Sequence, residues 1–112
     1  MSCLFDSLSR FLSIDSYSLR QQLCNYLSIN PKLFDDIDAS DWISWENNHN
    51  LSDYINNMRK PSTWCGGIEI KAFCNIYKAQ VNIRFLNRII TFYPNDPAEK
   101  IINVNYTGNH FS

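Results

Sequence analysis

Along the first third of the chain, apolar residues return every three or four positions, the spacing that lines one face of a helix. In CLFDSLSRFLS, Leu4, Phe5, Leu8, Phe11 and Leu12 share a side, Ser2 stands at the N-cap position, and Asp6 lies near the end of the helix dipole that favours negative charge. The pattern predicts a helix over 3–13. In SIDSYSLRQQLCNYLSINP the stripe runs through Leu19, Leu23, Tyr26 and Leu27, with Asp15 and Ser16 as capping candidates and Pro31 as a stop. A second helix is predicted there.

KLFDDIDASDWISWENNHN breaks the period. Acidic residues interrupt Leu33, Phe34, Ile37, Trp42, Ile43 and Trp45, so the segment reads as short helical turns and loop. Its tryptophans read as core fillers, Asp35, Asp36, Asp38 and Asp41 as a solvated acidic surface, and His49 as a loop residue. Leu51, Tyr54, Ile55 and Met58 then line a third helix, closed off by Pro61. Gly66 and Gly67 punctuate the chain before Ile68, Ala72 and Ile76 repeat at four-residue steps in a fourth helix, whose apolar face Phe73 and Cys74 widen.

After this helix the period changes to two. QVNIRFLNRIITFY alternates apolar and polar residues on both sides of Asn87, the pattern of two short strands joined by a tight turn. PNDPAEK is a turn by composition, and IINVNYTGNHFS resumes the alternation with Ile102, Val104 and Tyr106 in a third strand that leads to His110. Helices first and strands last give the α+β class, a single domain over 1–112 with a small, mostly antiparallel sheet packed against helices.

Composition supports a packed core, since 45% of the 112 residues are hydrophobic and glycine and proline are few. A net charge of −1, with acidic and basic residues scattered singly, offers no face for collecting phosphates, so nucleic acid is not an expected partner. Apolar stretches are short and broken by Asp6, Arg10 or Asp15, which predicts no membrane span and no secretory leader, and therefore a reducing, cytoplasmic setting. In that setting Cys3, Cys24, Cys65 and Cys74 are expected as free thiols. Cys24 and Cys74 lie on apolar helical faces and read as core thiols. Neither the cysteines nor His49 and His110 show the close ligand pairs of a zinc site.

Cys3 sits in a first helical turn, where unpaired backbone N–H groups and the helix dipole favour thiolate, and His110 lies at the end of a strand. Brought together, a thiolate attacks a carbonyl carbon while an imidazole deprotonates the thiol and later protonates the leaving amine. Spacing alone does not separate this pair from a core thiol and a solvated imidazole. A resemblance does. SCLFDSLSRFL resembles the nucleophile segment of OTU (ovarian tumour) family cysteine proteases, in which Asp, Gly and Asn or Ser lead into Cys-Leu-Phe and an apolar helix. LRQQLCNYLSINP is similar to the family's second helix with its terminal Asn-Pro. YINNMRKPSTWCGGIEIKAFCNIYKAQVNI is similar to its run of Tyr, Met, Trp-Gly-Gly, Glu-Leu, Ala and apolar strand, and YTGNHFS to the closing segment with the catalytic His before an aromatic. The segments stand in family order and span nearly the whole chain.

The resemblance implies an OTU-like, papain-type cysteine protease fold with Cys3 as nucleophile and His110 as base. It further implies hydrolysis of (iso)peptide bonds after a Gly-Gly tail, with conjugates of ubiquitin or a ubiquitin-like protein as partners and neither metal nor cofactor. Trp64 falls at the family's tryptophan, and Cys65 replaces a glycine common among relatives. Only Met1 and Ser2 precede the nucleophile, where relatives carry a loop that supplies oxyanion donors, leaving the backbone N–H groups of Ser2 and Cys3 for that role. Some relatives take the residue that orients the histidine from that loop, others from two positions after the histidine, which here is Ser112. Asn109, Asn105 and Ser112 are the candidates, beside a bare Cys-His dyad. The abrupt ends suggest a compact viral version, or a protease processing its own precursor polyprotein. An inactive OTU-like binding module is the remaining alternative.

Overall fold

The computed structural model describes residues 3–34, 36–47, 50–63, 65–107 and 111, with Cys3 and Asn47 given by their backbone alone. Helix α1 (Cys3–Ser9) buries Leu4, Phe5 and Leu8, the residues its periodicity selected. It stops short of residue 13. Ser9 Oγ donates to Asp6 O (3.0 Å) within the last turn, and the chain tightens into Phe11 N–H to Leu8 O (3.1 Å) and Leu12 N–H to Ser9 O (3.0 Å). Such local side-chain bonds compete with helical ones, and Phe11 ends exposed rather than on the apolar stripe.

Helix α2 (Ser16–Ser28) starts where Asp15 accepts from Ser18 N–H (2.7 Å), as its capping signal predicts. It buries Leu19, Leu23, Cys24 and Leu27, together with Arg20. Asn30 (φ 53°) then turns the chain out of the helix in the left-handed region that asparagine tolerates.

Strands β1 (Lys32–Phe34) and β2 (Ile37–Asp38) pair antiparallel and lead into α3 (Ala39–Asn47), a regular helix where the sequence predicts turns and loop. Asp38 explains the difference. Its carboxylate accepts from Asp41 N–H (3.0 Å) and Ser40 Oγ (2.9 Å), which starts the helix and holds its pKa below the usual carboxylate range. Ile43 is buried and Trp42 stacks on Phe34 with ring centroids 4.8 Å apart, but Trp45 faces outward at 68% exposure and fills no core. Asp36 and Asp41 are exposed as expected. Asp35 and His49 lie outside the described residues.

Helix α4 (Leu51–Met58) begins where Asn50 accepts from Asp53 N–H (2.8 Å) and buries Ile55 and Met58. Helix α5 (Gly67–Tyr77) buries most of its length and ends at Lys78, whose left-handed backbone (φ 51°) turns directly into β3.

β3 (Ala79–Phe85) and β4 (Arg88–Phe92) form the predicted hairpin around Leu86 and Asn87. β5 (Lys100–Tyr106) joins the far side of β3, giving the order β4-β3-β5, and runs parallel to β3. Residues 93–99 make that crossing possible: Asn95 binds Asn75 Oδ1 and Lys32 O (2.9 Å each), and Glu99 N–H reaches Lys78 O (2.7 Å). One sheet face pairs Val81 with Ile102 and Ile83 with Val104, all buried in the core. Its opposite face is a polar ladder in which Thr91 Oγ1 and Asn82 Nδ2 bond along the row Thr91, Asn82, Asn103 (3.0 Å each). Among the described residues no helix is long and apolar enough to cross a membrane.

Candidate active site

Cys3 is the first residue of α1, and the position of the helix is fixed by the apolar residues after it, since Leu4, Phe5 and Leu8 are almost wholly buried. A seven-residue helix has little stability alone, so tertiary packing sets its place. The other end of the chain is anchored by Phe111, which pairs antiparallel with Tyr106 at the end of β5. Their rings stack with centroids 4.4 Å apart, and Phe85 of β3 adds a tilted contact at 5.4 Å. Leu4, Phe5 and Phe111 belong to one buried cluster, so the segments holding the expected nucleophile and base are anchored in the same core. Ser2, Asn109, His110 and Ser112, together with Trp64, lie outside the described residues, and Cys3 is placed by its backbone. Asn105, a further candidate for orienting the histidine, lies exposed on β5.

Beneath α1 lies a polar assembly that sequence reasoning missed. Arg20 of α2 is 1% exposed, and its guanidinium lies over the Phe5 ring, 4.4 Å from the centroid. Its nitrogens donate to Met58 O (2.7 Å), Thr63 O (3.1 Å) and Pro61 O (3.4 Å), carbonyls at the end of α4 and in the turn after it. The last carbonyls of a helix need partners from outside it, and a cation suits that end. Arg59 continues the tie with α2, donating to Gln21 Oε1 and Asn25 Oδ1 (2.9 Å each).

Glu69, 1% exposed, carries the opposite charge. Its carboxylate accepts from Gly66 N–H (2.7 Å), closing the first turn of α5, and from the Tyr54 hydroxyl of α4. Burial raises its pKa from 4.5 to about 7, while the bonds from Tyr54 and Gly66 and the charge of Arg20 act against that rise. Tyr54 is pushed upward too, first by burial and then by the neighbouring carboxylate. Both residues line an open pocket of about 380 Å³ with Glu46, Cys65 and Gly66.

The signal for this assembly was present in the sequence. Arg20, Cys24 and Leu27 share one stripe of α2, and Glu69 and Phe73 one stripe of α5, so each charge interrupts an apolar face. The remaining thiols fit their expected roles: Cys24 and Cys74 are buried, with pKa pushed up to about 11 by desolvation, and Cys65 is half-buried and outside any disulfide. Among the described residues no group of three His, Cys, Asp or Glu side chains is arranged to hold a metal ion.

Residues 2–111 match the sequence profile of the OTU-like cysteine proteases. No curated protein matches the chain at a significant level. Solved structures do. An ovarian tumour domain in complex with ubiquitin shares the fold with a TM-score of 0.78 at 19% identity, over 98% of this chain and 61% of that one. The OTUD1 OTU domain gives a TM-score of 0.72 at 18% identity, over 98% of this chain and 76% of that one. The viral OTU domain protease of Dera Ghazi Khan virus gives 0.69 at 17% identity, over 98% and 71%. This chain therefore spans less than two thirds of the first of these relatives.

Proposed function

Because the chain belongs to the family of OTU-like cysteine proteases, we propose that it is a cysteine peptidase that removes ubiquitin or a ubiquitin-like modifier from proteins. In this reading residues 1–112 act as one catalytic domain, Cys3 is the nucleophile and His110 the base. The observation that carries it is the family match over residues 2–111, a span that takes in both residues. The position of Cys3 at the start of α1 and the anchoring of Phe111 in the same core as Leu4 and Phe5 are consistent with it.

The two groups divide the chemistry between them. His110 takes the thiol proton, and the Cys3 sulfur attacks the carbonyl carbon of the terminal glycine, forming a tetrahedral oxyanion. Backbone N–H groups of Ser2 and Cys3 are the donors assigned to that oxyanion, and one well-placed donor contributes about 3 kcal/mol to such a step. His110 then protonates the leaving lysine amine, and a water deprotonated by the same imidazole hydrolyses the thioester. Asn109, Asn105 and Ser112 are the candidates for orienting the ring, beside a bare Cys-His dyad. Ubiquitin is favoured as the modifier because a relative of this fold is solved in complex with it. A reducing compartment such as the cytoplasm, that of a host cell if the protein is viral, suits a mechanism that needs a free thiol.

A ubiquitin probe carrying a C-terminal electrophile tests the proposal. Wild type should form an adduct at Cys3 and release ubiquitin from an isopeptide-linked substrate, while Cys3→Ala should do neither. No adduct with ubiquitin or its relatives would refute it. A viral OTU domain protease shares the fold, and a second reading of the same chemistry is cleavage of the protein's own precursor. Mass spectrometry of a precursor bearing the native flanks checks that reading, and an uncut precursor removes it.

A further inference from the structure

We propose that Arg20 is a positioning residue, locking the nucleophile helix α1 to the turn between α4 and α5. The inference rests on the reading of Cys3 as nucleophile and adds to it a residue that acts by holding the helix in place. One planar group meets two parts of the fold. Its face covers Phe5, on the same helix as Cys3, and its edge donates to the carbonyls of Met58, Pro61 and Thr63. An arginine can satisfy a ring and several carbonyls at once because its donors lie in a rigid plane. A lysine ammonium, a compact point charge, cannot do both.

The arrangement is costly unless it does something specific. Burying a cation requires compensation, which here comes from the carbonyls, the Phe5 ring and the field of Glu69. Glu69 in turn holds Gly66 N–H and Tyr54, so one chain of contacts runs from α1 through α2 and the end of α4 to the start of α5. α1 is too short to hold its own place. Arg20 brings a charged anchor to its first turn and fixes Phe5 relative to residues 58–63. A shift of the helix by about 1 Å would displace the attacking sulfur, an error worth about 100-fold in rate.

Arg20→Lys and Arg20→Met in the full chain test this, assayed at a temperature where circular dichroism shows each variant folded. With a fluorogenic ubiquitin C-terminal substrate, Arg20→Lys should lose about 10- to 100-fold in kcat, with KM within threefold of wild type, and Arg20→Met should lose more. Hydrogen exchange in the same samples should rise in residues 3–9 and 58–63 and stay unchanged within α5. If neither arginine variant folds, Phe5→Leu, which removes the ring and leaves the carbonyl bonds, should show the same kcat loss and exchange pattern to a smaller degree. A kcat within twofold of wild type, a defect confined to KM, or unchanged exchange in residues 3–9 overturns the proposal. If wild type itself fails to react with the ubiquitin probe at Cys3, the peptidase reading falls separately, and exchange alone then decides whether Arg20 locks α1.

Discussion

Replacing Glu69 by glutamine should make the protein relatively more stable as pH rises. The carboxyl is almost completely buried, and its pKa moves from 4.5 to about 7 on folding. A raised carboxyl pKa means that the native state binds the proton more tightly than the unfolded chain. Stability from this group is therefore fully present below pH 4.5 and is lost as pH climbs through about 7. At about 1.4 kcal/mol per unit, the loss is on the order of 3 kcal/mol. Glutamine copies the protonated acid: its oxygen can accept from Gly66 N–H and its amide can donate to Tyr54 oxygen, the partners the carboxyl has now. Urea unfolding from pH 5 to 8 should show the two proteins within about 1 kcal/mol of each other at pH 5, by the usual worth of one hydrogen bond. By pH 8 the glutamine variant should lead by about 3 kcal/mol, a midpoint gain of about 1 to 2 M urea. Titration elsewhere is common to both proteins and cancels in the difference. A gap that stays constant across the range would show that Glu69 is ionised throughout, and the argument from burial would fail.

Other residues give simpler outcomes. Leu23→Ala, at a fully buried position of α2, should cost about 3 kcal/mol in denaturant unfolding, with the value set by how far the cavity collapses. Asn50→Ala removes the cap that holds Asp53 N–H and should cost about 1 kcal/mol by the same measurement. Leu86 holds φ 56° with its side chain largely exposed, so Leu86→Asn should raise stability by about 1 kcal/mol, because asparagine tolerates that region better. In a Cys3→Ala background, an aromatic disulfide reagent at pH 8 should modify Cys65 within minutes and reach Cys24 and Cys74 only on unfolding, in keeping with their thiol pKa of about 11.

Local pattern was enough for much of this protein. Stripes of apolar residues located α2, α4 and α5, and alternation located the hairpin and β5, because each element is half-buried and its period records which side faces inward. The four family-like segments named the fold before any contact was known. α3 was hidden because its helix depends on Asp38 accepting from Asp41 N–H, a capping bond inside a stretch whose apolar spacing is irregular. Phe11 was misplaced on the core because local bonds around Ser9 end α1 first. In both cases one short-range hydrogen bond outweighed the period.

Periodicity in the chain by itself indicated which faces of α2, α4, α5 and the strands turn inward, and the motifs marked Cys3 and His110 as the expected nucleophile and base. Direction and partnership came only with the folded molecule. Alternation in β5 is the same whether the strand runs with β3 or against it, and the crossing of residues 93–99 over the end of α5 decided for parallel. Arg20 and Glu69 become the polar centre of the fold because the carbonyls, ring and hydroxyl that satisfy them arrive from segments about 15 to 45 positions away. A side chain's period is a property of its neighbours in sequence, whereas the cost of burying its charge is settled by neighbours in space.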